Sequence, residues 1–357
     1  MKKTFVATAL VSLLIGVGVG QVNASGYTFT DLGTLYGGYS VASAINNAGQ
    51  VVGWSSAPVG PYHATIWNGT TPTDLGTFWG GYSGASGIND SGQVVGWSSA
   101  PGSPYHATIW NGTTPTYLDS LGGGNSQGLA INNSGQVVGI SSGHATIWNG
   151  TTPTDLGMGG DYSQAVAIND SGQVVGAYVT PAGSPHAAIW NGTTLTDLGT
   201  LVGGNISVAE SINNAGQVVG RSRTLSEMHA TIWNGTTLTD LGGGEYGSVF
   251  SINNAGQMVG YSYTLGDSLH ATIWNGTTPT DLNDFLSMSE VDAGWVISVA
   301  LDINDKGWIV GQASNYHENV GHAFLLTPVP EPEAYAMFMA GLGLMGFIAR
   351  RRKNDQS

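Results

Sequence analysis

Residues Ile45–Gly53 read Ile-Asn-Asn-Ala-Gly-Gln-Val-Val-Gly, and near-copies of this stretch occur seven times in the 357-residue chain. The copies begin at Ile45, Ile88, Ile131, Ile168, Ile212, Ile252 and Ile303, so the spacings are 43, 43, 37, 44, 40 and 51 residues. A repeat period near forty in a sequence rich in short strands is typical of propeller blades rather than of helical solenoids. The stretch therefore decides the fold.

Each repeat unit contains two predicted hairpins. In the first, residues 40–46 lead into the turn 46–49 and the chain returns over residues 50–56. Asn46 can bond the turn backbone, while Gly49 supplies the positive φ that other residues resist. The second hairpin runs from His63 through Asn68-Gly69 to Leu75, and Asn-Gly between two β-rich runs strongly predicts a tight hairpin. Four strands per unit is the size of one propeller blade.

The two ends of the repeat region complement each other. A His-Ala strand occurs seven times, but the Thr-Asp-Leu strand that follows it is missing after the last copy, His322–Leu326. The missing strand is found at the start of the region, in Tyr27–Leu35. We therefore predict an all-β fold, a seven-bladed β-propeller of four-stranded blades over residues 25–328, closed by the N-terminal strand.

Two repeated positions are predicted to form the core. Three residues before each Ile stand small residues, as expected where blades crowd an axis: Ala42, Ala85, Gly128, Ala165, Ala209, Val249 and Ala300. One Trp recurs in each of the first six units, and a regular Trp is typical of packing between sheets: Trp67, Trp110, Trp148, Trp190, Trp233 and Trp274. The alternative for these rings is a role as sugar-stacking platforms.

Composition excludes several classes of protein. Charged residues make up 9% of the chain and Gly numbers 56, which argues against a solvated disordered segment and a helical bundle. With no cysteine, there can be no disulfide, thiolate nucleophile or Cys-bound zinc. The net charge of the chain is −14. The leader contributes +2 through its two lysines and the residues after 330 contribute +1, so residues 25–330 carry −17. Such an acidic body repels phosphate, so we expect no nucleic-acid partner.

The two ends of the chain carry targeting signals. Residues 1–24 have Lys2 and Lys3 before an uncharged run and small residues at the end, which predicts a secretory signal cut by signal peptidase between Ala24 and Ser25. Residues 334–349 form a second uncharged run, about 24 Å long as a helix. This length predicts one marginal transmembrane helix that anchors the precursor in the inner membrane.

Residues 329–353 resemble the PEP-CTERM sorting signal of Gram-negative bacteria, with residues 354–357 as a short tail. The elements are the motif Val329, Pro330, Glu331 and Pro332, then the apolar run, then the basic cluster Arg350, Arg351, Arg352 and Lys353. The resemblance implies that an exosortase acts near the Pro-Glu-Pro motif and detaches the protein from its tail. It also implies export to the cell surface or the extracellular space, and many proteins with this signal come from bacteria that make exopolysaccharide.

The repeats themselves resemble the HAF family of extracellular bacterial repeats. The resemblance rests on His-Ala-Thr, Thr-Asp-Leu-Gly-Thr-Leu and Ile-Asn-x-x-Gly-Gln-Val-Val-Gly, and it covers nearly all of residues 27–327. Tyr117 replaces one Asp, Leu326 replaces the last Trp, and residues 282–297 lengthen the seventh unit.

The sequence offers no catalytic or cofactor-binding motif. Seven of the eight His residues are one per unit, and equivalent positions around a ring do not converge on a metal. The repeated Asp residues are expected to bond turn amides. Calcium held by scattered acidic side chains is the one metal that the composition leaves open. Positions that break the repeat are the candidates for function: residues 221–227, residues 284–295, Asp302, Lys306 and Glu318.

Three functional hypotheses follow. The first is a non-enzymatic surface or matrix protein that binds glycan or protein partners through its loops. The second is a propeller enzyme, a glycosidase or lyase, which would need a non-repeating pair of carboxylates at the ring mouth. The third is an ice-binding Thr array, which Pro72 and Pro115 disfavour because they interrupt the Thr-rich strands.

Overall fold

The repeated turn closes a tight hairpin in the way the sequence predicts. The Asn46 side-chain Oδ1 accepts a hydrogen bond from the Gln50 N–H at 2.9 Å, and the Gly49 N–H donates to the Asn46 carbonyl at 3.0 Å. Gly49 has φ of +87°, in the left-handed region that favours glycine. The Asn and Gly of each repeat are therefore turn residues.

A computed structural model of the protein describes residues 26–329, except 57–59, 79, 158–161, 236, 243–245 and 265–267. The signal sequence with its cleavage site Ala24–Ser25, the sorting residues 330–332 and 350–352 and the transmembrane run 334–349 lie outside this part. No helix within it combines the length and apolarity needed to cross a bilayer.

The described strands form seven four-stranded antiparallel sheets, each one blade. Blades 1 to 3 contain, in order from the axis outward, β2 (Ser40–Ile45), β3 (Gln50–Ser56), β4 (Tyr62–Asn68) and β5 (Thr71–Asp74); β6 (Tyr82–Ile88), β7 (Gln93–Ser99), β8 (His106–Asn111) and β9 (Thr114–Tyr117); β10 (Ser126–Ile131), β11 (Val137–Ser141), β12 (His144–Asn149) and β13 (Thr152–Asp155).

Blades 4 to 6 repeat this order. They contain β14 (Ser163–Ile168), β15 (Gln173–Val179), β16 (Pro185–Asn191) and β17 (Thr194–Asp197); β18 (Ser207–Ile212), β19 (Gln217–Arg223), β20 (Met228–Asn234) and β21 (Thr237–Asp240); β22 (Gly247–Ile252), β23 (Gln257–Thr264), β24 (Ser268–Asn275) and β25 (Thr278–Asp281).

Blade 7 joins the two ends of the propeller. It contains β26 (Trp295–Ile303), β27 (Ile309–Asn315), β28 (Val320–Pro328) and, outermost, β1 (Tyr27–Gly33). Strand β1 runs antiparallel to β28 with Tyr27 opposite Pro328. The prediction of seven four-stranded blades closed by the N-terminal strand is confirmed.

The last glycine of the Val-Val-Gly motif is fixed by a bulge in the innermost strand. The pairing of β2 with β3 shifts between Ala42 and Ala44, opposite Gly53. A Cβ on Gly53 would lie 1.9 Å from the Val41 carbonyl oxygen, a distance no side chain tolerates. Equivalent glycines in the other six blades have the same contact at 2.0–2.1 Å, so this glycine is required by close approach of two backbones.

The repeated Trp residues lie in the core between blades. Trp110 of blade 2 is fully buried and packs with Ala64 and Leu75 of blade 1. All six repeated Trp side chains are 0% exposed, so their assignment to the core is confirmed and they offer no surface for a sugar. Ala42 is likewise buried, in a cluster with Trp67 of its own blade and Val310 of blade 7.

The longer seventh unit covers the outer part of the last blade. It contains a 3-10 helix, Leu282–Phe285, and α1 (Met288–Asp292), which begins with a capping box between Ser287 and Glu290. Phe285 packs on Tyr27 with ring centroids 5.0 Å apart, and Trp295 packs on Phe29 at 5.6 Å. The insertion therefore packs against the closing strand β1.

Candidate functional site

The propeller has two chemically different ends. At the end that we call the turn face, the Asn-rich turns surround the axis and the Asn-Gly turns lie outside them. The opposite end, the crossover face, carries the connections between second and third strands and from each blade to the next. Because the strands are antiparallel, every blade contributes to both faces in the same way.

Seven buried Asn side chains form a closed ring at the turn face. Each side-chain Nδ2 donates to the backbone carbonyl of the equivalent Asn in the next blade, at 3.0–3.2 Å, and Asn304 of blade 7 returns to Asn46 of blade 1. This inner ring consists of Asn46, Asn89, Asn132, Asn169, Asn213, Asn253 and Asn304. It links all seven blades by one continuous set of hydrogen bonds.

A second ring, the mouth ring, is formed by the next residue of each turn. Each backbone N–H donates to the side-chain Oδ1 of the next member at 2.9–3.0 Å. Its members in order are Asn47, Asp90, Asn133, Asp170, Asn214, Asn254 and Asp305. No two Asp residues are neighbours, so every carboxylate lies between two amides. The second turn residue is Asn in four repeats and Asp in three, and this variation places the negative charges apart from one another around the axis.

Amide groups favour the ionised form of one mouth-ring carboxylate, that of Asp170. Asp170 Oδ2 accepts from Asn133 Nδ2 at 3.2 Å and from Asn214 Nδ2 at 3.0 Å. Burial acts to raise the pKa of Asp170, but these hydrogen bonds and the one from the Asn133 backbone lower it below its ordinary value. The polar groups of this face are engaged with one another.

Two non-repeating carboxylates line the channel that runs along the axis. Glu210 pairs with Arg221 at 2.5 Å, and burial raises the pKa of Glu210 although the charge and hydrogen bond of Arg221 oppose the shift. Asp302 accepts hydrogen bonds from the Ser251 hydroxyl at 2.6 Å and from the Ile45 N–H at 2.8 Å. Asp302 therefore connects blades 6, 7 and 1, where the ring closes.

The repeated His residues pair with the repeated Asp residues on the adjacent strand. His63 Nδ1 lies 2.7 Å from Asp74 Oδ2, while Asp74 Oδ1 accepts from the Gly76 N–H at 2.7 Å. Blades 3 to 6 repeat the His–Asp pair, and in blade 7 the partners are His322 and Asp31 of the closing strand. The expected bond to a turn amide is present, and the pairing with His was missed. Within the described ranges, no three His, Asp or Glu side chains are grouped to hold a metal.

The loop residues expected to carry function do not meet at one place. Arg221 lies against the channel wall, the 284–295 insertion packs on β1, and Lys306 lies over Trp308 on the turn side. The Glu318 N–H donates to Asn315 Oδ1 in the loop between β27 and β28. These positions serve separate local contacts.

The structure instead places a cleft on the crossover face, between blades 2 and 4. Blade 3 has the shortest repeat spacing, 37 residues, and only Ser142 and Gly143 connect its β11 to β12. Both residues have positive φ, +53° and +87°, as in a tight two-residue hairpin. Blades 2 and 4 have longer connections, residues 100–105 and 180–184. A cavity of about 360 Å³ lies above blade 3.

Two exposed tyrosines and three side-chain amides line this cleft. Tyr105 comes from the blade 2 loop and is 40% exposed, and Tyr162 precedes β14 of blade 4 and is 45% exposed. Asn125, Gln127 and Gln164 lie between them, with Ser126, Leu129, Ile140 and Gly143 completing the lining. No lining residue carries a formal charge. Leu129 also lines the axial channel, so the two cavities adjoin.

Hydrogen bonds fix the polar groups of the cleft. The Asn125 Oδ1 accepts from the Tyr105 N–H at 3.0 Å, and the Tyr162 hydroxyl donates to Gln164 Oε1 at 3.3 Å. Sequence reasoning missed these residues because they come from different repeats. The signal that could have found them was the 37-residue spacing, the shortest in the chain, which marks the unit with the two-residue crossover loop.

Comparison with known proteins supports the sorting signal and the fold. Residues 328–353 match the PEP-CTERM protein-sorting motif, which confirms the predicted signal and implies export, exosortase sorting and a cell-surface or extracellular destination. The β-propeller domain of the trilobed protease from Pyrococcus furiosus is 12% identical, with a TM-score of 0.53 over 82% of this chain and 98% of that one. At this identity the likeness supports the propeller fold alone.

Weaker likenesses were found to two other solved structures. TolB from Acinetobacter baumannii is 13% identical with a TM-score of 0.42, covering 55% of this chain and 52% of that one. A gluconolactonase from Xanthomonas campestris is 8% identical with a TM-score of 0.42, covering 85% and 90%. No curated protein matched the chain.

Proposed function

We propose that the protein is an exported, non-enzymatic surface or matrix protein that binds glycan through the cleft between blades 2 and 4. The observation that carries the proposal is the pair Tyr105 and Tyr162, exposed on either side of an uncharged, amide-rich floor. Concave sites with aromatic walls and a few placed polar groups are typical of small-ligand recognition.

The cleft chemistry suits a sugar. The C–H faces of a pyranose ring are apolar and pack on aromatic rings, while its hydroxyls both donate and accept hydrogen bonds. Side-chain amides such as Gln127 and Gln164 also offer a donor and an acceptor. The tyrosines present large areas with few rotatable bonds, so ordering them on binding has a small entropic cost.

Further parts of the proposal concern processing and location. Signal peptidase would cut between Ala24 and Ser25, the apolar run 334–349 would hold the precursor in the inner membrane, and an exosortase would release the body. We also propose that the units are HAF-type repeats of extracellular proteins. Exopolysaccharide is the glycan that such an exported protein would meet first, and surface proteins are the alternative partners.

A polysaccharide-cleaving enzyme is the alternative function. The non-repeating carboxylates that it would need exist in the channel, as Glu210 and Asp302. Glu210 is paired with Arg221, and Asp302 accepts three hydrogen bonds, two of them from backbone N–H groups. Their engagement in structural contacts favours binding over catalysis.

The test is binding of the exported body, residues 25–328, to a glycan array and to the exopolysaccharide of the source bacterium. We expect saturable binding that Tyr162→Ala weakens at least about tenfold. The matched control is Tyr246→Ala, which changes the equivalent tyrosine of blade 6, 50% exposed. Absence of glycan binding, or equal affinity of Tyr162→Ala and wild type, would overturn the proposal; shortened polysaccharide products would favour the enzyme.

A further inference from the structure

We infer that the ligand of this cleft is an extended, neutral polysaccharide that continues from the cleft across the aromatic surface of blades 1 and 2. This inference rests on the proposed function. It assigns the chemical class of the glycan and a second set of binding residues. We call that set the aromatic run: Trp54, Tyr62, Tyr82, Trp97 and Tyr105.

The aromatic run is continuous and reaches the cleft. The ring centroids of Trp54 and Tyr62 are 5.3 Å apart, those of Tyr62 and Trp97 5.7 Å, and those of Trp97 and Tyr105 4.7 Å. Tyr82 packs on Tyr62 at 5.1 Å. Tyr105 belongs both to the run and to the cleft wall, so a chain bound in the cleft meets the next ring directly.

The rings of the run combine exposure with support. Tyr82 and Tyr105 are 42% and 40% exposed, while Trp54, Tyr62 and Trp97 are half-buried. Each ring contacts at least one other ring at a tilt of 52° or more. Neighbouring rings therefore limit one another's movement, and a preorganised apolar surface loses little entropy when a ligand covers it.

Two positions of the repeat carry Trp and Tyr together only in blades 1 and 2. The residue after Val-Val-Gly is Trp in blades 1 and 2, whereas blades 3 to 7 carry Ile140, Ala177, Arg221, Tyr261 and Gln312. The residue before the repeated His is Tyr in blades 1 and 2, whereas the other blades carry Gly143, Pro185, Met228, Leu269 and Gly321. Blades 3, 4, 5 and 7 form with no aromatic residue at either position, so the fold does not need these aromatics.

The charge of the molecule selects a neutral chain. The aromatic run and the cleft contain no charged residue, and the body carries −17 with only Arg221, Arg223 and Lys306 as bases. Arg221 is already paired with Glu210. A uronate or sulfated chain would be repelled by the body and would find no cation in the site.

The test compares neutral oligosaccharides of increasing length, and an anionic polysaccharide, on wild type, Tyr82→Ala and Trp97→Leu. We expect affinity to rise with chain length in wild type, and both variants to lose about tenfold for long chains while a trisaccharide binds unchanged. Tyr246→Ala is the matched control, and an unchanged Tm shows that each variant is folded.

Two results would overturn the inference and leave the proposed function standing. One is equal affinity of wild type for short and long chains, with Tyr162→Ala still defective. The other is preferential binding of the anionic polysaccharide. Absence of any glycan binding would remove both proposals.

Discussion

The turn face and the crossover face are built from the same seven units but differ in how far the units depart from one another. At the turn face the inner Asn ring is identical in all blades, and each member bonds the next. At the crossover face blade 3 is short, blades 1 and 2 carry Trp and Tyr, and the cleft lies between blades 2 and 4. Symmetric contacts close a ring, whereas a single ligand needs a place where symmetry is broken.

The mouth ring shows an intermediate case. Its backbone-to-side-chain bonds are the same in all blades, but the residue type alternates so that no carboxylates are adjacent. Here the departure from identity stabilises the ring by avoiding like-charge neighbours. Variation within a repeat can therefore serve the fold as well as a ligand, and mutations can separate the two.

The largest effect is expected for a glycine at which two strands of one blade approach each other closely. Gly139→Ala would place a Cβ 2.0 Å from the Gln127 carbonyl oxygen, inside blade 3. Backbone must move, so we expect a loss of about 3 kcal/mol in the free energy of unfolding, measured by urea denaturation. Gly247→Ala, whose Cβ would meet nothing closer than 3.4 Å, is the control. Equal stability of the two variants would contradict the close-approach argument.

A smaller loss is expected in the inner ring. Asn132→Ala removes the donor to the Asn169 carbonyl and the acceptor of the Gln136 N–H. Leaving buried backbone groups without partners should cost about 2 kcal/mol, with glycan affinity unchanged. Asn205→Ala, which loses one exposed bond to Ser184, should change stability by less than about 0.5 kcal/mol. If ring loss abolished binding in a folded variant, the separation of the two faces would be wrong.

The alternation of the mouth ring can be tested by exchange. Asn214→Asp sets a second carboxylate beside Asp170, which should destabilise the fold by about 1 kcal/mol at pH 7 and less at high salt. The double variant Asp170→Asn, Asn214→Asp again has no adjacent carboxylates and should recover most of the loss. Unfolding free energies at two salt concentrations measure both. Additive losses in the double variant would show that the order of charges is irrelevant.

The smallest effect is a pH dependence at the crossover side. Burial acts to lower the pKa of His229, but hydrogen bonds with Asp240 and Glu227, and their charges, raise it above its ordinary value. The protonated form is therefore favoured in the folded state, so its stabilisation is complete below about pH 6.5 and is lost as pH rises through the raised pKa. These partners are partly exposed, so the change should be below about 1 kcal/mol.

An NMR titration of the His229 ring would measure this shift. Asp240→Asn with Glu227→Gln should return the pKa toward its ordinary value and flatten the dependence of stability on pH between 6 and 8. Glycan affinity should not follow this titration, because the cleft lacks carboxylate and His groups. An unshifted His229 in wild type would contradict the hydrogen-bond pattern.

The sequence predicts the fold well because its signals are local. Asn46 and Gly49 act within one turn, and the unmatched ends at Tyr27 and Leu326 define closure. The cleft was not predicted, since Tyr105 and Tyr162 meet only after three blades are assembled. The alternation of Asp90, Asn133 and Asp170 likewise acquires meaning only around the axis. The short crossover loop of blade 3 can be read from the sequence as a short repeat spacing. The side chains that line the cleft cannot, because they come from units about forty residues apart.

The hydrogen bond between the first and last described residues has a consequence for chain connectivity. The Val329 N–H donates to the Gly26 carbonyl at 3.0 Å, beside the pairing of Tyr27 with Pro328. Adjacent ends allow circular permutation. A chain joined there by a short linker and reopened between Leu75 and Tyr82 would build every blade from four consecutive strands. The difference in its free energy of unfolding from wild type would then measure the contribution of the shared strand β1 to ring closure. The stability that remains would include the contribution of the seven Asn amides around the axis.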